Sequence, residues 1–437
     1  MTARRTASRL ALTAILLAGL LLTDCGDTVN VNDGVTVIPG LVQVRTQSEL
    51  SLLTGVEQVL GHLKIGPDVI SDDPIRDLSP LRNLVYVAWD LQLSGLDELG
   101  SLRGLANLEQ VGGRLDLSEL EMLRSLDGLE NLRDVGFGLS ITENPRLESI
   151  AGLSGLRGVL GGQWSIQSNP SLTSLHGLEG IEALAKASGF DGALGIRYCE
   201  SLVDLAGLDA LAELHYLAIS DCPSLADIGA LGRLRHVGSQ LRLATLPSLT
   251  SLDGLEALEE CPAVYLYDVP GVASLQPLAP INLSVLDLEN TGIPNLGSVP
   301  PAVVPFELQL NGNTNLTSLA GLPGSCAISE LYLSGEPALT SLAGLEGIPI
   351  TGSLSIHSCP LLTSMEGLGG VQALDGLLYL SNNDALVSLA GLEGLESVGG
   401  LFVTRNPALC DTLVDAFVAN VNVAGAIDTE GNADCSP

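Results

Sequence analysis

The chain of 437 residues has few aromatic side chains and almost no lysine. Aromatic residues make up 3% of the sequence, against 46% for all hydrophobic residues, so the core must be mainly aliphatic. Lysine occurs only at Lys64 and Lys186, and the formal net charge is −32. A nucleic-acid partner is therefore not expected, because phosphate recognition needs a positively charged surface. The acidity is explained most simply by solubility, and the alternative is a basic partner or bound cations.

The sequence also lacks the common motifs of enzymes and metal sites. No CxxC pair, HxH or HExxH is present, which removes the usual ligand spacings for zinc. GxSxG, Walker and GxGxxG loops are absent as well; each of these would have indicated a defined chemistry. We therefore predict no enzyme activity, no cofactor and no metal site. The histidines are scattered, and each is expected to be an isolated loop or surface residue: His62, His176, His215, His236 and His357.

Long apolar runs are missing too, apart from a run of 13 residues from Leu10 to Leu22 that follows three arginines. That length suits the apolar region of a signal peptide and is too short to span a membrane. We predict a signal peptide over residues 1–24. The sequence that follows, Asp24-Cys25-Gly26, resembles the end of a bacterial lipoprotein signal, although Asp24 stands where that family has a small residue.

The lipoprotein resemblance implies that Cys25 carries a lipid, which would be the only contact of the protein with the membrane. Residues 25–40 would then form a flexible tether to the rest of the chain. The expected location is the cell surface or the periplasm. Plain secretion, without a lipid, is the alternative.

A repeat dominates the rest of the sequence. Its unit is an apolar–x–apolar triplet, followed three residues later by Asn or a substitute and then by Leu, as in 139–147 and 401–409. Of the 15 gaps between successive units, 13 are 21 to 25 residues long. The second apolar residue of each triplet falls at Val44, Ile65, Leu93, Leu117, Ile141, Ile166, Ile196, Ile219, Leu243, Leu266, Leu288, Leu310, Leu333, Ile356, Leu380 and Val403.

This period predicts a parallel β-solenoid of about 16 rungs. Alternate side chains of a strand face opposite ways, so both apolar residues of a triplet point inward and the middle one points outward. A single rung cannot bury its own apolar face, but stacked rungs bury it against each other. The segments between triplets, such as 149–156, are too short for more than about one helical turn. We expect turns, 3₁₀ pieces and short second strands there.

The position three residues after each triplet has its own chemistry. Asn144, Asn169, Asn313, Asn383 and Asn406 recur there. A buried side-chain amide at a corner can hydrogen-bond the backbone groups of neighbouring turns. Other residues at the same position are Cys199, Cys222, Leu246, Val269, Thr291, Glu336 and Cys359.

The spacing resembles leucine-rich repeats, and more closely the receptor L-domain type found in receptor ectodomains and bacterial surface proteins. The segment from Leu389 to Val403, LAGLEGLESVGGLFV, resembles the repeat unit of those proteins. The resemblance covers residues 41–409 and implies a right-handed parallel β-helix. It also implies a non-catalytic protein that recognises its ligand at the surface, although ligand contacts vary within the family and are not carried over.

Each end of the repeat carries a candidate cap. Thr46-Gln47-Ser48-Glu49 resembles a capping box, with Leu50, Leu53 and Val56 as the apolar side of a short helix. At the other end, residues 410–437 are predicted to be a helical cap. Its helix, Asp411 to Val421, has helical spacing at Leu413, Phe417 and Val421.

The cysteines suggest one disulfide. Cys410 and Cys435 bracket the C-terminal helix, and we predict that they are bonded, since an exported chain permits it. Cys199 and Cys222 occupy equivalent positions in successive rungs, and we favour two buried free thiols over a bond. Cys261 and Cys326 precede distant strands and are not expected to pair.

Scarce aromatics cluster in the outward-facing positions of the later rungs. Tyrosine suits binding surfaces because it offers a large area with a polar tip. The alternative is that strands favour aromatics in any case. We predict protein recognition or adhesion through this surface, with carbohydrate or cell-wall binding and a passive structural coat as alternatives. The partner would be a surface protein or a glycan. The candidate face comprises Tyr265, Tyr267, Tyr332, Tyr379 and Phe402.

Overall fold

The computed structural model describes most of the chain after the predicted signal peptide. The described residues are 30–32, 35–67, 72–187, 189, 191–279, 281, 283–297, 306–322, 324 and 326–435. The predicted signal peptide and lipid attachment site, Cys25, lie outside them. Within them, no helix has the length and apolar character needed to cross a bilayer. The chain divides into two compact units, Met1–Leu225 and Ala226–Pro437.

The first unit has a main parallel sheet in which the predicted triplets lie side by side. Its pairings match Val44 to Ile65, Ile65 to Leu93, and so on to Ile219. Short strands on a second side of the rungs are parallel as well. The strands are β1 (Asn30–Asn32), β2 (Val35–Ile38), β3 (Val42–Val44), β4 (Gln58–Val59), β5 (Leu63–Ile65), β6 (Tyr86–Val87), β7 (Leu91–Ser94), β8 (Gln110–Val111), β9 (Arg114–Ser118), β10 (Asp134–Val135), β11 (Gly138–Thr142), β12 (Gly158–Gly161), β13 (Gln163–Gln167), β14 (Ile181–Ala185), β15 (Ala193–Arg197) and β16 (Glu213–Ser220).

The second unit repeats this arrangement with longer strands. Parallel pairing aligns Leu243 with Leu266 and continues through every rung to Val403. Each unit is therefore a parallel β-solenoid of leucine-rich repeats, as the period predicts. The strands are β17 (His236–Ala244), β18 (Ala263–Val269), β19 (Val285–Thr291), β20 (Phe306–Asn311), β21 (Ile328–Ser334), β22 (Ile350–His357), β23 (Ala373–Ser381), β24 (Ser397–Thr404), β25 (Asn422–Val423) and β26 (Ile427–Asp428).

The connections are turns and single 3₁₀ turns, as expected. The 3₁₀ turns are Ser79–Leu81, Arg103–Leu105, Ala151–Leu153, Gly229–Leu231 and Gln276–Leu278. Their leucines point into a core that is almost wholly aliphatic. Trp164 and Phe306 are the only aromatic side chains buried among the described residues.

From β7 onward, the corner after each main strand turns through a left-handed backbone conformation. Glu143 has φ of 57° and Asn382 has φ of 55°, values that non-glycine residues adopt only at some energetic cost. The next residue in each case, Asn144 or Asn383, has no solvent exposure. A buried hydrogen-bonding side chain directly after the bend stabilises this conformation.

The asparagines form the ladder that the sequence predicts. The Asn144 side chain accepts from Leu120 N at 3.0 Å and donates to Leu117 O at 3.0 Å. Asn169 accepts from Asn144 N at 3.2 Å. In the second unit, Asn406 accepts from Asn383 N at 3.0 Å. Each amide thus satisfies the backbone groups of the preceding rung.

Glu336 replaces asparagine in this ladder and is the one acidic side chain fully buried among the described residues. Its carboxyl accepts from Asn313 N at 3.0 Å and from Asn313 Nδ2 at 2.9 Å. Burial raises the pKa of Glu336 to about 7, and the two hydrogen bonds from Asn313 oppose the shift. A neutral residue at this position therefore suits the core better than a carboxylate.

The N-terminal cap forms as predicted. Helix α1, Gln47–Ser51, begins after Thr46, whose side chain accepts from Glu49 N at 3.1 Å. In a capping box the Glu side chain accepts from the backbone N–H of the cap residue, which is Thr46 here. The Glu49 carboxylate accepts instead from the N–H of the preceding residue, Arg45, at 2.6 Å. Leu50, Leu53 and Val56 are buried.

The C-terminal cap differs from the prediction in its buried face. Helix α2 spans Asp411–Val418 and buries Val414, whereas Leu413 is 49% exposed and Phe417 is half-buried. The predicted helix to Val421 is wrong, because the chain leaves the helix after Val418 and continues into β25 and β26. These strands extend the last rung by pairing with β24.

The cap also adds a ladder position that the sequence analysis missed. Asn432 accepts from Asn406 N at 3.1 Å and donates to Val403 O at 2.6 Å. The predicted disulfide between Cys410 and Cys435 is present and encloses this segment. Cys199, Cys222, Cys261 and Cys326 are buried free thiols, as expected.

The ladder yields a first prediction, on stability. Asn144→Ala leaves Leu117 O and Leu120 N without partners inside the core. We expect a loss of about 2–5 kcal/mol, since each buried unsatisfied group costs roughly 1–3 kcal/mol. Urea unfolding and hydrogen exchange at the Leu120 amide measure it. The control is Asn107→Ala, which removes an exposed hydrogen bond to Arg82 O of 2.7 Å. Equal losses in the two variants would contradict the role of the ladder.

A second prediction concerns Glu336 and pH. Folding raises the pKa of Glu336 from 4.5 to about 7, so the protonated carboxyl stabilises the folded state. This contribution to the free energy of unfolding is fully present below about pH 4.5 and is lost as the pH rises towards about pH 7. Glu336→Gln removes this titration, although its amide oxygen can replace only one of the two carboxyl oxygens that accept from Asn313. Between about pH 4.5 and about pH 7, the stability of the variant relative to the parent should therefore rise by up to about 3 kcal/mol. Urea unfolding across this range tests it, with the exposed Glu366→Gln as control. Parallel pH profiles for parent and Glu336→Gln would refute it.

Candidate binding face

The main strands of the second unit present the middle residue of each triplet to the outside. On β18, Val264 and Leu266 are buried, whereas Tyr265 between them is half-buried. Parallel register places Asp287 and then Gln309 beside Tyr265, and Tyr332 follows on β21. Neighbouring strands lie about 4.8 Å apart, so equivalent outward side chains of adjacent rungs are in contact range.

The first cluster on this face, which we call the tyrosine pair, consists of Tyr265 and Tyr267. Their ring centroids are 6.0 Å apart. The guanidinium of Arg242 lies over the Tyr267 ring, with 4.7 Å between Cζ and the ring centroid. The Tyr267 hydroxyl donates to Asp287 Oδ2 at 2.5 Å. This bond and the cation–π contact fix the orientation of Tyr267.

Negative charge concentrates around the tyrosine pair. Burial raises the pKa of Asp287 despite the hydrogen bond from Tyr267, and the carboxylates of Glu289 and Glu307 raise it further. Burial also raises the pKa of Tyr265, and Glu307 and Asp287 add to that shift. The negative charge of neighbouring carboxylates therefore raises the pKa of both Asp287 and Tyr265.

The second cluster, which we call the histidine cluster, consists of Tyr332, His357, Tyr379 and Phe402. His357 lies 5.1 Å from the Tyr332 ring and 6.1 Å from the Tyr379 ring between centroids, edge-to-face in both cases. Tyr379 lies 6.2 Å from Phe402. His357 Nε2 and the Tyr332 hydroxyl oxygen are 2.6 Å apart. Burial lowers the pKa of His357, which favours the neutral imidazole.

Apolar surface continues past this cluster. Tyr332 is 37% exposed and Leu377 is 46% exposed. Leu377 extends over Gly400, where an added Cβ would come within 2.8 Å of Leu377 Cδ2 and 3.4 Å of the Phe402 ring. Glycine at this position lets Leu377 and the Phe402 ring approach each other. Asp428 of β26 pairs with Phe402 and ends the row.

The five residues predicted for the face thus fall into two groups. Tyr265 and Tyr267 are adjacent, and Tyr332, Tyr379 and Phe402 belong to the other cluster. His357 lies at the surface as expected, but it is neither isolated nor in a loop, because it lies on β22 and contacts the rings of two tyrosines. Its place two residues beyond Ser355, on the same side of the strand, is the signal in the sequence that identifies it.

The outward row of the first unit is different. Ser140 is 6% exposed and Ala218 is fully buried, so small side chains line this part of the sheet. An aromatic group that the sequence analysis missed lies elsewhere on this unit. There, Trp89 is 50% exposed, stacks on His62 at 5.9 Å and contacts Phe137 at 6.4 Å.

Within the described part of the chain, no three His, Cys, Asp or Glu side chains are grouped so that they could hold a metal ion. The buried thiols donate to backbone carbonyls instead; Cys222 Sγ, for example, lies 3.3 Å from Ser220 O.

No protein-family description and no curated protein matches the sequence. Among solved structures, the chain is similar to the functional domain of InlJ from Listeria monocytogenes, which includes a cysteine ladder. The identity is 17%, the match covers 74% of this chain and 78% of that one, and the TM-score is 0.30. It is also similar to TLR13 in a complex with ssRNA13, at 14% identity, 92% and 82% coverage and a TM-score of 0.26. The assignment of the fold rests on the strands and repeat of this chain itself.

Proposed function

We propose that this protein is a non-catalytic recognition or adhesion protein of the cell surface. It binds another protein through the outward face of β18 to β24. The observation that carries the proposal is the concentration of aromatic side chains there. Only 3% of the chain is aromatic, yet six rings, counting His357, lie in two clusters of ring contacts on this face. The guanidinium of Arg242 lies over one of these rings, that of Tyr267.

The exposure and the fixed orientation of these side chains support binding. They are half-buried or exposed, so each still has apolar area to bury against a partner. Tyrosine loses little conformational entropy when it binds, and its hydroxyl can hydrogen-bond at an interface. The contacts with His357, Asp287 and Arg242 hold the rings in place before a ligand arrives, which lowers the cost of binding.

Ring geometry favours a protein ligand over a carbohydrate. His357 meets Tyr332 at an interplanar angle of 73° and Tyr379 at 84°. Such edge-to-face packing makes an uneven apolar surface with polar tips and does not form one flat platform. A surface of this kind suits interdigitating side chains.

The proposal includes export. The charged and apolar segments at the N-terminus form a signal peptide, and Cys25 carries a lipid that holds the protein at a membrane. Of the predicted tether over residues 25–40, the part from Val35 to Ile38 pairs with β4 and belongs to the solenoid. The segment before it then acts as the tether that separates the solenoid from the membrane.

The binding proposal predicts the effect of Tyr332→Ala combined with Tyr379→Ala. Central aromatic residues of an interface contribute about 2 kcal/mol or more each, or roughly 30-fold in affinity. The full chain should therefore capture a protein from the surface fraction of its source cells, and the double variant should not.

The control for this experiment is Leu361→Ala with Val387→Ala, at residues that are 50% and 52% exposed but lie off the face. It should bind like the parent. Equal capture by the parent and the tyrosine variant would refute the proposed face. Retention on a glycan array that the tyrosine variant loses would instead establish the carbohydrate alternative.

Lipid attachment predicts a difference between the parent and Cys25→Ser in a bacterial host that processes lipoproteins. The parent should partition into a detergent phase, since buried acyl chains contribute about 0.8 kcal/mol per methylene. Cys25→Ser should remain in the aqueous phase. Aqueous partitioning of both forms would show plain secretion.

A further inference from the structure

Four carboxylates lie on outward positions of β19 to β21, around the tyrosine pair. They are Asp287 and Glu289 on β19, Glu307 on β20 and Glu330 on β21. Glu289 and Glu330 are exposed, and Asp287 and Glu307 are half-buried. We call these four residues, together with the tyrosine pair, the acidic patch.

None of the four carboxylates forms an ion pair among the described residues. Their partners are neutral hydrogen-bond donors. Asp287 accepts from the Tyr267 hydroxyl at 2.5 Å, Glu307 accepts from the Gln309 amide, and Glu330 accepts from Ser353 N at 3.1 Å. Arg242 acts on Asp287, but one guanidinium does not balance four carboxylates. Like charges on neighbouring strands destabilise a sheet, so a cationic partner would relieve this repulsion.

One contact within the chain places a cation on this face. Arg242 places its guanidinium over the Tyr267 ring at 4.7 Å, and its charge lowers the pKa of Asp287 against the larger, opposite effect of burial. A similar combination of ring and carboxylates exists two residues earlier on the same strand, where Asp287 and Glu307 act on Tyr265. Arg242 pairs with Tyr265 across β17 and β18 and its charge lowers the pKa of Tyr265. Its guanidinium nevertheless lies over the Tyr267 ring, and among the described residues no cation lies over the Tyr265 ring.

We infer that the acidic patch binds a cationic segment of the partner protein, with an arginine or lysine side chain over Tyr265 and between Asp287 and Glu307. This inference rests on the proposed function and specifies the partner's chemistry. A desolvated cation over an aromatic ring is held by the ring quadrupole and by the nearby carboxylates together. With one guanidinium against four carboxylates, the patch attracts additional positive charge.

The test uses the full chain and a labelled peptide that alternates arginine and glycine. Fluorescence anisotropy measures its dissociation constant at low and at high ionic strength. The parent should bind the peptide and should bind it more weakly in salt, since screening shortens the reach of charges from about 10 Å at 0.1 M to about 3 Å at 1 M. A peptide with citrulline in place of arginine, which keeps the shape but not the charge, should not bind.

Neutralising the patch should weaken peptide binding. The combination of Asp287→Asn, Glu289→Gln and Glu307→Gln removes three carboxylates, and a loss of about tenfold is expected because each exposed charge pair contributes roughly 0.2–1 kcal/mol. The matched control is Asp253→Asn, Glu366→Gln and Asp384→Asn, at exposed positions off the face. It changes the net charge equally and should bind like the parent.

A variant that is expected to increase affinity separates an effect on binding from misfolding. Arg242→Gln removes a positive charge on the strand position that pairs with Tyr265, while the hydrogen bond to Asp287 still holds Tyr267. Because that charge repels a cationic ligand, the variant should bind the peptide about threefold more tightly, the size of one exposed charge pair. A gain in affinity cannot arise from an unfolded chain.

Several results would overturn the inference. These are no peptide binding by the parent at low salt, equal binding of the citrulline peptide, equal losses in both triple variants, or displacement of the peptide by neutral oligosaccharides alone. If the peptide fails while the parent still captures a surface protein through Tyr332 and Tyr379, the cationic ligand is wrong and the proposed function stands. If both fail, the binding face itself is wrong.

Discussion

Stacking is the constraint on which the rest of this structure depends. A rung of 21 to 25 residues is too small to enclose its own leucines, so each rung buries them against the rungs beside it. The parallel hydrogen bonds between main strands fix this stacking, and they keep the triplets aligned through all eight main strands of each unit. Shifts of register occur only outside the triplets, as before Glu307. A shift by one residue would turn every inward side chain outward. Equivalent positions of successive rungs therefore form continuous lines.

The asparagine ladder is one such line, and its exceptions show what the corner requires. Thr291 and Glu336 keep an acceptor or donor there, and the cysteines donate weakly to backbone carbonyls. Leu246 has no polar side chain, and its own N–H donates to the Asp268 carbonyl at 3.2 Å instead. The corner thus needs its backbone groups satisfied, and it tolerates several ways of doing so. Glu336 is the substitution that adds a carboxyl group.

The features that depend mainly on this register could be predicted from the sequence. The triplets, the ladder, the aliphatic core and the bond between Cys410 and Cys435 follow from spacing along the chain. The C-terminal cap was less predictable, because its helix ends at Val418 and the chain returns to strand pairing. Whether Val414 or Leu413 is buried depends on how the helix lies on the last rung. Asn432 could be recognised only once the cap was seen to continue the stacking.

The candidate face was also only partly predictable from the sequence. Alternation along each strand predicts that Tyr265, Tyr332 and Tyr379 point outward. It does not predict which rings meet, because that depends on side-chain directions across strands. His357 fills the gap that Ser355 leaves between two tyrosines, and Arg242 reaches the ring of the neighbouring rung. These contacts divide a row of similar residues into two chemically different parts.

The order of those two parts bears on the proposed ligand. The acidic patch occupies β18 to β21 and the histidine cluster β21 to β24, so the two meet at β21. With about 4.8 Å between strands, the combined face is roughly 29 Å wide. A partner segment that crosses the strands would meet carboxylates at one end and apolar rings at the other. Long-range attraction would act at the first part, and burial of apolar area would hold the complex at the second. A segment with its basic residues on one side and its apolar residues on the other can therefore bind in only one direction.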